Sequence, residues 1–393
     1  MKILVALSRF PYPLLKGDQL RAYYFLKELS QHHELYLLCL SDEDCQEHEN
    51  HIKPFCKHLE VIQLSKIRQI RNLLTAIVDD IPFQVAYFKH PDFRTRFQEL
   101  SQEIKPDICW AQLIRVGENI SSNHQIPMYL DYMDCFSAGF RRRAFFSNWF
   151  MRTIIQVEVA RLKRYEESIS VHFQGYSIIS EADKQAMPAA IRSNISVIPN
   201  GVSSYFLEEF PGKKDLEYLV IFTGNMGYHP NIEAARYLVN KIMPLVWQQL
   251  PAAKICIVGT NPSSEVLKLA HDKRVIVTGY VPDIRTWLQD AVSFVAPLFS
   301  GSGLQNKLLE AMAAGVPVIT STMANAALQA PNQIAILEAV TPTEFSQAIL
   351  DLLNLPEKRK SIIKNAKEFV RERYHWPAIA QKLTSEFEKI THH

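Results

Sequence analysis

Short runs of aliphatic and β-branched residues recur along the chain, each followed by a longer amphipathic segment. No other feature constrains the fold as much. A short strand that is apolar on both faces has to be buried on both, which requires helices above and below a largely parallel sheet. The first half offers such strands at 3–7, 35–40, 61–64, 108–111, 128–130 and 176–179, and the second at 218–222, 254–258, 275–278, 293–296, 316–320 and 334–337. Gly, Pro, Asn or Asp bounds each of them. The pattern predicts an α/β chain with two doubly wound, Rossmann-like domains in tandem, and 393 residues suffice for two buried cores.

Between the halves, Ile198-Pro199-Asn200-Gly201-Val202 and the polar stretch through Asp215 read as a linker over 199–216, which sets the expected domains at 1–198 and 217–375. Helical segments follow at 344–353, 357–374 and, after Trp376-Pro377, at 378–390. Lys plus Arg number 43 against 41 Asp plus Glu, a formal charge of +2, and 47% of residues are hydrophobic. That excludes a disordered chain and a strongly basic nucleic-acid binder. The apolar run 3–7 is too short for an export signal. The uncharged stretch 311–337 is broken by Gly315, Pro317, Asn325 and Pro331, so it reads as buried core and not as a membrane span. Cys39, Cys45, Cys56, Cys109, Cys135 and Cys256 form no CxxC pair and have no zinc spacing, which points to free thiols in a reducing cytoplasm.

Doubly wound domains bind ligands beyond the carboxyl ends of their strands, so the loops that follow strands carry the functional signal. After the strand 293–296 comes Gly301-Ser302-Gly303-Leu304-Gln305-Asn306-Lys307, then a helix that stops at Gly315. Small residues let backbone approach a ligand, and open N–H groups at a helix start favour an anion such as a diphosphate. Lys307 adds a full charge. Glu310, three residues on, shares its helical face and can accept hydrogen bonds from a sugar or ribose diol. The bland alternative is a tight turn followed by a surface Lys-Glu pair.

The run GSGLQNKLLEAMAAGVPVIT, with FTGNMGYHPNIEAARYL at 222–238, VIPNGV at 197–202 and RFPYPLLKGDQLRAYYFLKEL at 9–29, resembles bacterial family 4 glycosyltransferases, more narrowly the sugar transferases of exopolysaccharide gene clusters. The similarity extends over nearly the full length. It implies the GT-B fold, two Rossmann-like domains facing a central cleft, with a nucleotide sugar bound mostly by the C-terminal domain and transferred with retention. It also implies that the last helix, 378–390, crosses back to the N-terminal domain. Glu310 matches the family's ribose-binding glutamate, whereas the partner glutamate falls on Ser302. Gly224 and Asn225 stand in the donor-binding loop after the first strand of the second domain, but the Arg and Lys that neutralise diphosphate in many relatives are absent between Gly224 and Asn231. The burden of charge shifts to Lys307 and to Gly301, Ser302, Gly303 and Leu304.

In the first domain, Gly17 and Asp18 follow the first strand and open a helix. By resemblance this loop approaches donor phosphate or acceptor; on the residues alone, Asp18 caps the helix. Asp131 and Asp134 flank Met133, where relatives often carry a His near the transferred sugar. Either carboxylate could instead position a sugar or acceptor hydroxyl, or cap the following helix. Asp42-Glu43-Asp44 matches a metal-binding DxD pattern but lies in an acidic loop, which reads as solvated surface, so no metal and no cofactor is expected. From 141 to 164 there are seven Arg or Lys and one acid, Glu158, with Phe145, Phe146, Trp149 and Phe150 among them. Such a segment suits an anionic membrane surface; the competing reading packs the aromatics on the core and exposes the arginines. The segment 66–74 is a second candidate of the same kind.

These readings converge on a cytoplasmic retaining glycosyltransferase, peripheral on the inner face of the membrane. It would move a sugar from a nucleoside diphosphate sugar to a carbohydrate or lipid-linked acceptor, without nucleic-acid partners. Lys307 is the expected catalytic cation and Asp134 or Asp131 the expected catalytic carboxylate. A nucleotide-sugar epimerase of similar fold is separated from it by product analysis without acceptor. A catalytically degenerate sugar-nucleotide-binding protein is the third reading.

Overall fold

The computed structural model describes residues 1–120, 126–145, 149–208, 218–300 and 304–392. Met1–Pro199 with Ile379–His393 form one compact unit and Asn200–Ala378 the other. The first unit holds β1 (Lys2–Leu7), β2 (Glu34–Ser41), β3 (His58–Gln63), β4 (Ile108–Gln112), β5 (Met128–Met133), β6 (Gly175–Ile178) and β7 (Ile195–Val197). All pair in parallel, in the order β3-β2-β1-β4-β5-β6-β7. Ile3 through Leu7 are fully buried, so β1 is covered on both faces as its unbroken apolar run requires. Strand order reverses between β1 and β4, which is where a doubly wound sheet opens its ligand crevice.

The second unit repeats the plan with β8 (Tyr218–Thr223), β9 (Ile255–Val258), β10 (Val275–Val277), β11 (Ala291–Ala296), β12 (Val318–Thr320) and β13 (Leu337–Glu338). The order is β10-β9-β8-β11-β12-β13, again parallel, and the reversal falls between β8 and β11. The strand expected at 334–337 shrinks to its end, because the N–H groups of Ala335 and Ile336 turn back to the Pro331 carbonyl. β7 went unanticipated: its three residues run into Pro199-Asn200-Gly201, which reads as loop.

The stretch expected as linker is largely absorbed into the second unit up to residue 208. Val202 N–H donates to the Tyr374 carbonyl at 2.5 Å, Ser204–Leu207 form a short helix, and Gly201 lies so close to the Trp376 ring that a Cβ there would stand 2.6 Å from it. The remaining linker residues, 209–216, lie outside the described residues. At the other end, the helix Trp376–Thr391 returns to the first unit, where the Phe387 ring meets Tyr129 edge-on at 5.1 Å and Ser196 Oγ donates to Glu386 at 2.8 Å.

A buried ion pair ties the first unit together. Arg21, on the helix Gly17–Leu29, donates through Nε to Asp131 Oδ2 at 2.6 Å and through Nη2 to Oδ1 at 3.1 Å, and its Nη1 reaches the Pro199 carbonyl at 3.1 Å. Ser177 Oγ adds a hydrogen bond to Asp131 Oδ1 at 2.9 Å. Both charged residues have 0% exposure. The pair links the first helix, β5, β6 and the chain where it leaves the unit. This corrects the sequence expectation for Asp131: both oxygens are engaged and neither reaches solvent, so the residue serves the fold and not a sugar hydroxyl.

Removing one partner of such a pair leaves a buried charge unanswered, and Arg21→Met should destabilise the chain by about 3–5 kcal/mol. The double variant Arg21→Met with Asp131→Leu should cost less than Arg21→Met alone. Urea unfolding of the first unit's transition measures both, and a double variant less stable than the single one would contradict the assignment.

Candidate functional site

The second unit assembles its polar groups where β8 and β11 diverge. β8 ends at Thr223, and the chain continues through Gly224 and Asn225 into the helix His229–Tyr237. Gly224 and Gly259, which follow β8 and β9, both have φ +153°, and a Cβ on Gly259 would fall onto the Gly224 carbonyl oxygen. Only glycine allows the two backbones to approach this closely. Asn225 is exposed; its Oδ1 accepts from Gly227 N–H at 3.0 Å, and its carbonyl accepts from Asn231 Nδ2 at 2.8 Å.

Lys307 enters from the neighbouring strand. It lies in the first turn of the helix Asn306–Ala313, after β11, and its ammonium donates to Asn231 Oδ1 in a short contact. The ammonium also sits over the Phe222 ring at 5.3 Å and would stand 3.3 Å from a Cβ at Gly224. One side chain therefore spans the point at which strand order reverses. The residues at the two N-cap positions, Tyr228 and Gln305, do not cap their helices with their own side chains.

Burial sets the protonation of this site. Desolvation lowers the Lys307 pKa from 10.5 to about 8, with Glu310 opposing the shift. Desolvation raises the Glu310 pKa from 4.5 to about 7, with Lys307 opposing it. Each group is more costly to charge than in water, and an anion beside Lys307 would offset that cost. Leu304 packs on the core of the second unit. Gly301, Ser302 and Gly303 lie outside the described residues.

The matching crevice of the first unit is occupied by charge pairs. Asp18 was expected as a helix cap, but the cap position belongs to Lys16. Asp18 falls in the first turn instead and meets Arg9 in a short contact and Arg115 at 3.6 Å. Gln112 Nε2 holds the Asp18 carbonyl at 3.2 Å. Gly17 is exposed beside Met133, which adopts φ +64° at a register shift in β5. Asp134 follows and keeps solvent access. Desolvation, then Asp183, raises its pKa to about 6, a rise that solvent screening moderates.

Sequence reasoning therefore missed Asn231, Gly259, Arg9 and Arg115. Arg9 and Asn231 lie inside the runs that carried the family resemblance, but nothing local marks them as partners of Asp18 and Lys307. Asp42, Glu43 and Asp44 are exposed on the loop after β2, and among the described residues no three His, Cys, Asp or Glu side chains gather into a metal-sized group.

Residues 217–355 match the family described as Glycosyl transferases group 1, which covers most of the second unit and all of the Lys307 site. A protein of the cps region of Klebsiella pneumoniae, described as an uncharacterized 44.6 kDa protein, is 23% identical over 392 residues, spanning 95% of this chain and 96% of that protein. Among solved structures, Anabaena HepE in complex with UDP superposes with a TM-score of 0.67 at 15% identity, over 99% of this chain and 100% of that one. Sucrose-phosphate synthase from Thermosynechococcus elongatus superposes with a TM-score of 0.68 at 14% identity, over 99% of each chain. The fold is GT-B, and residues 217–355 of the second unit are similar to the glycosyl transferases of group 1. Together these likenesses support a glycosyltransferase of the kind encoded in exopolysaccharide clusters.

Because Gly259 meets backbone and not a movable side chain, Gly259→Ala should destabilise the second unit by about 2–3 kcal/mol. Gly224→Ala would meet Asn231 and the Lys307 head and should disturb the site more than the fold. Chemical unfolding of the two variants measures this, and equal loss of stability in both would contradict the distinction.

Proposed function

We propose that the chain is a retaining glycosyltransferase that uses a nucleoside diphosphate sugar. The observation that carries this reading is the Lys307 ammonium held by Asn231 against Gly224, where β8 and β11 separate. A desolvated cation beside glycine backbone and two helix starts suits a diphosphate. The UDP and UDP-glucose complexes of Anabaena HepE support the same donor class. As the bond between the sugar C1 and the phosphate oxygen breaks, negative charge grows on the leaving diphosphate, and Lys307 stabilises it most in the transition state. The acceptor hydroxyl oxygen bonds to C1, and its proton passes to the leaving phosphate. Retention is carried over from the family resemblance and is read from the anomeric proton coupling of the product.

Glu310 is assigned to the ribose diol and Asp134 to an acceptor or sugar hydroxyl. The acceptor is a carbohydrate or lipid-linked glycan, a reading supported by the cps-region relative. Lys307 offsets phosphate charge itself, so we assign no metal to the reaction and expect excess EDTA to leave turnover unchanged. Turnover that disappears with EDTA and returns with magnesium or manganese would overturn that assignment.

Lys307→Ala should lower turnover by about 10²-fold, whereas Glu310→Gln should mainly raise the Michaelis constant for donor. Donor affinity should be greatest between about pH 7 and pH 8. Below that window Glu310 gains a proton and loses acceptor strength; above it Lys307 loses its charge. Titration of donor against pH should lose its acid limb in Glu310→Gln and its alkaline limb in Lys307→Ala. An unchanged pH profile in both variants would remove these residues from the donor site.

A further inference from the structure

Among the described residues, about half of the large apolar side chains that stand exposed lie on two neighbouring stretches of the first unit. Ile67, Ile70 and Leu74 form a stripe on the helix Lys66–Thr75, with Ile67 82% exposed, and Trp149, Phe150 and Ile154 stand out from the helix Trp149–Ser168, with Trp149 81% exposed. The first helix packs with polar residues inward, and the second buries Glu158, Arg161 and Glu166 beside Leu162. On the first, Arg68 meets His90, Asn72 donates to the Lys89 carbonyl at 2.8 Å, and Gln69 is buried. On the second, Glu158 accepts the N–H groups of Phe83 and Gln84 at 3.1 and 3.2 Å, and Arg161 is buried. On the first helix this reverses the usual amphipathic arrangement, in which the apolar face turns to the core; on the second, Leu162 is buried with the polar residues and the apolar side chains of the first two turns stand clear of the core. Trp149 and Phe150 also depart from the reading that packed the aromatics on the core, while Phe146 lies outside the described residues.

The two stripes adjoin. Arg161 donates to the carbonyls of Ala76 and Ile77 at 2.9 and 3.0 Å, so the end of the first helix lies against the second. Exposed Val157 sits one turn before Arg161 on the same side. Cations border the surface: Lys66, Arg71, Arg141, Arg142 and Lys163 are exposed. No acid occurs in 66–75, exposed Asp79 and Asp80 follow it with Asp80 paired to Arg161 and Arg164, and the single acid between 141 and 164 is the buried Glu158.

We propose that this two-helix face docks on an anionic phospholipid bilayer, with the apolar stripes entering the boundary between headgroups and acyl chains and the cations meeting lipid phosphates. Peripheral docking of this kind needs apolar area and positive charge on one surface, and both are present. No helix among the described residues is long and apolar enough to cross a membrane. A second copy of the chain is a poorer occupant, because a two-fold contact through this face would set its cations against their own images. The proposal goes beyond the donor-site reading and stands apart from it.

The test is co-sedimentation of the full chain with vesicles of phosphatidylcholine alone and with about 30% phosphatidylglycerol. Wild type should bind the mixed vesicles at least about tenfold more tightly, with binding that weakens as salt rises. The triple variant Ile67→Ser, Ile70→Ser, Leu74→Ser and the double variant Trp149→Ser, Phe150→Ser should each lower binding about tenfold or more. Arg141→Gln with Arg142→Gln should flatten the salt dependence. All these residues are exposed, so melting temperature and nucleotide binding should be unchanged, and those two readouts separate failure here from failure of the donor site. Apolar variants that bind like wild type would overturn the proposal. So would a wild-type dimer, seen by light scattering, that the same variants dissolve.

Discussion

Two glycines lie backbone to backbone where β8 and β9 end, and the placing of the polar groups around Lys307 depends on that approach. With Gly259 against the Gly224 carbonyl, the loop after β8 stays flush with the sheet, and the space that a Cβ at Gly224 would fill is left to the Asn231 amide and the Lys307 ammonium. Strand order brings Lys307 there: β11 is the neighbour of β8, so a helix that begins just after β11 places its first turn beside the β8 loop. Steric necessity, topology and one long side chain together put a positive charge at the mouth of the crevice.

The two units share a topology but treat the same crevice differently. In the first, Asp18 is matched by Arg9 and Arg115, and Asp131 by Arg21, so the carboxylates nearest the strand ends serve the fold. Asp134 is the carboxylate that keeps solvent access. In the second, half-buried Lys307 is held by a neutral amide, and partial desolvation lowers its pKa. A cation in that condition gains more from an incoming anion than a fully hydrated one does. The difference fits a second unit that receives phosphate.

Much of this was legible in the sequence, for identifiable reasons. Strands buried on both faces announce themselves as unbroken apolar runs, so β1, β2 and β11 could be read directly, and with β11 the place of Lys307 on the helix that follows it. β7 could not be read, because three residues beside Pro199 and Gly201 carry no period. Nor could the fate of Asp131: pairing with Arg21 across 110 positions leaves no local signature, and an aspartate at a strand end looks the same whether it faces a guanidinium or a sugar. The exposed aromatics of the helix Trp149–Ser168 misled for the opposite reason, since a helix with arginines and tryptophan ordinarily buries the tryptophan.

The central claim is that Lys307, placed by Asn231 and the paired glycines, receives the donor's diphosphate. Thermal melting of wild type and Lys307→Ala against a panel of nucleoside diphosphate sugars tests it most directly. One donor, at about 100 times its dissociation constant, should stabilise wild type by about 2.7 kcal/mol and raise its melting temperature by several degrees, with little or no shift in Lys307→Ala. A panel in which no member shifts wild type, or a shift that persists in full in Lys307→Ala, would contradict the account.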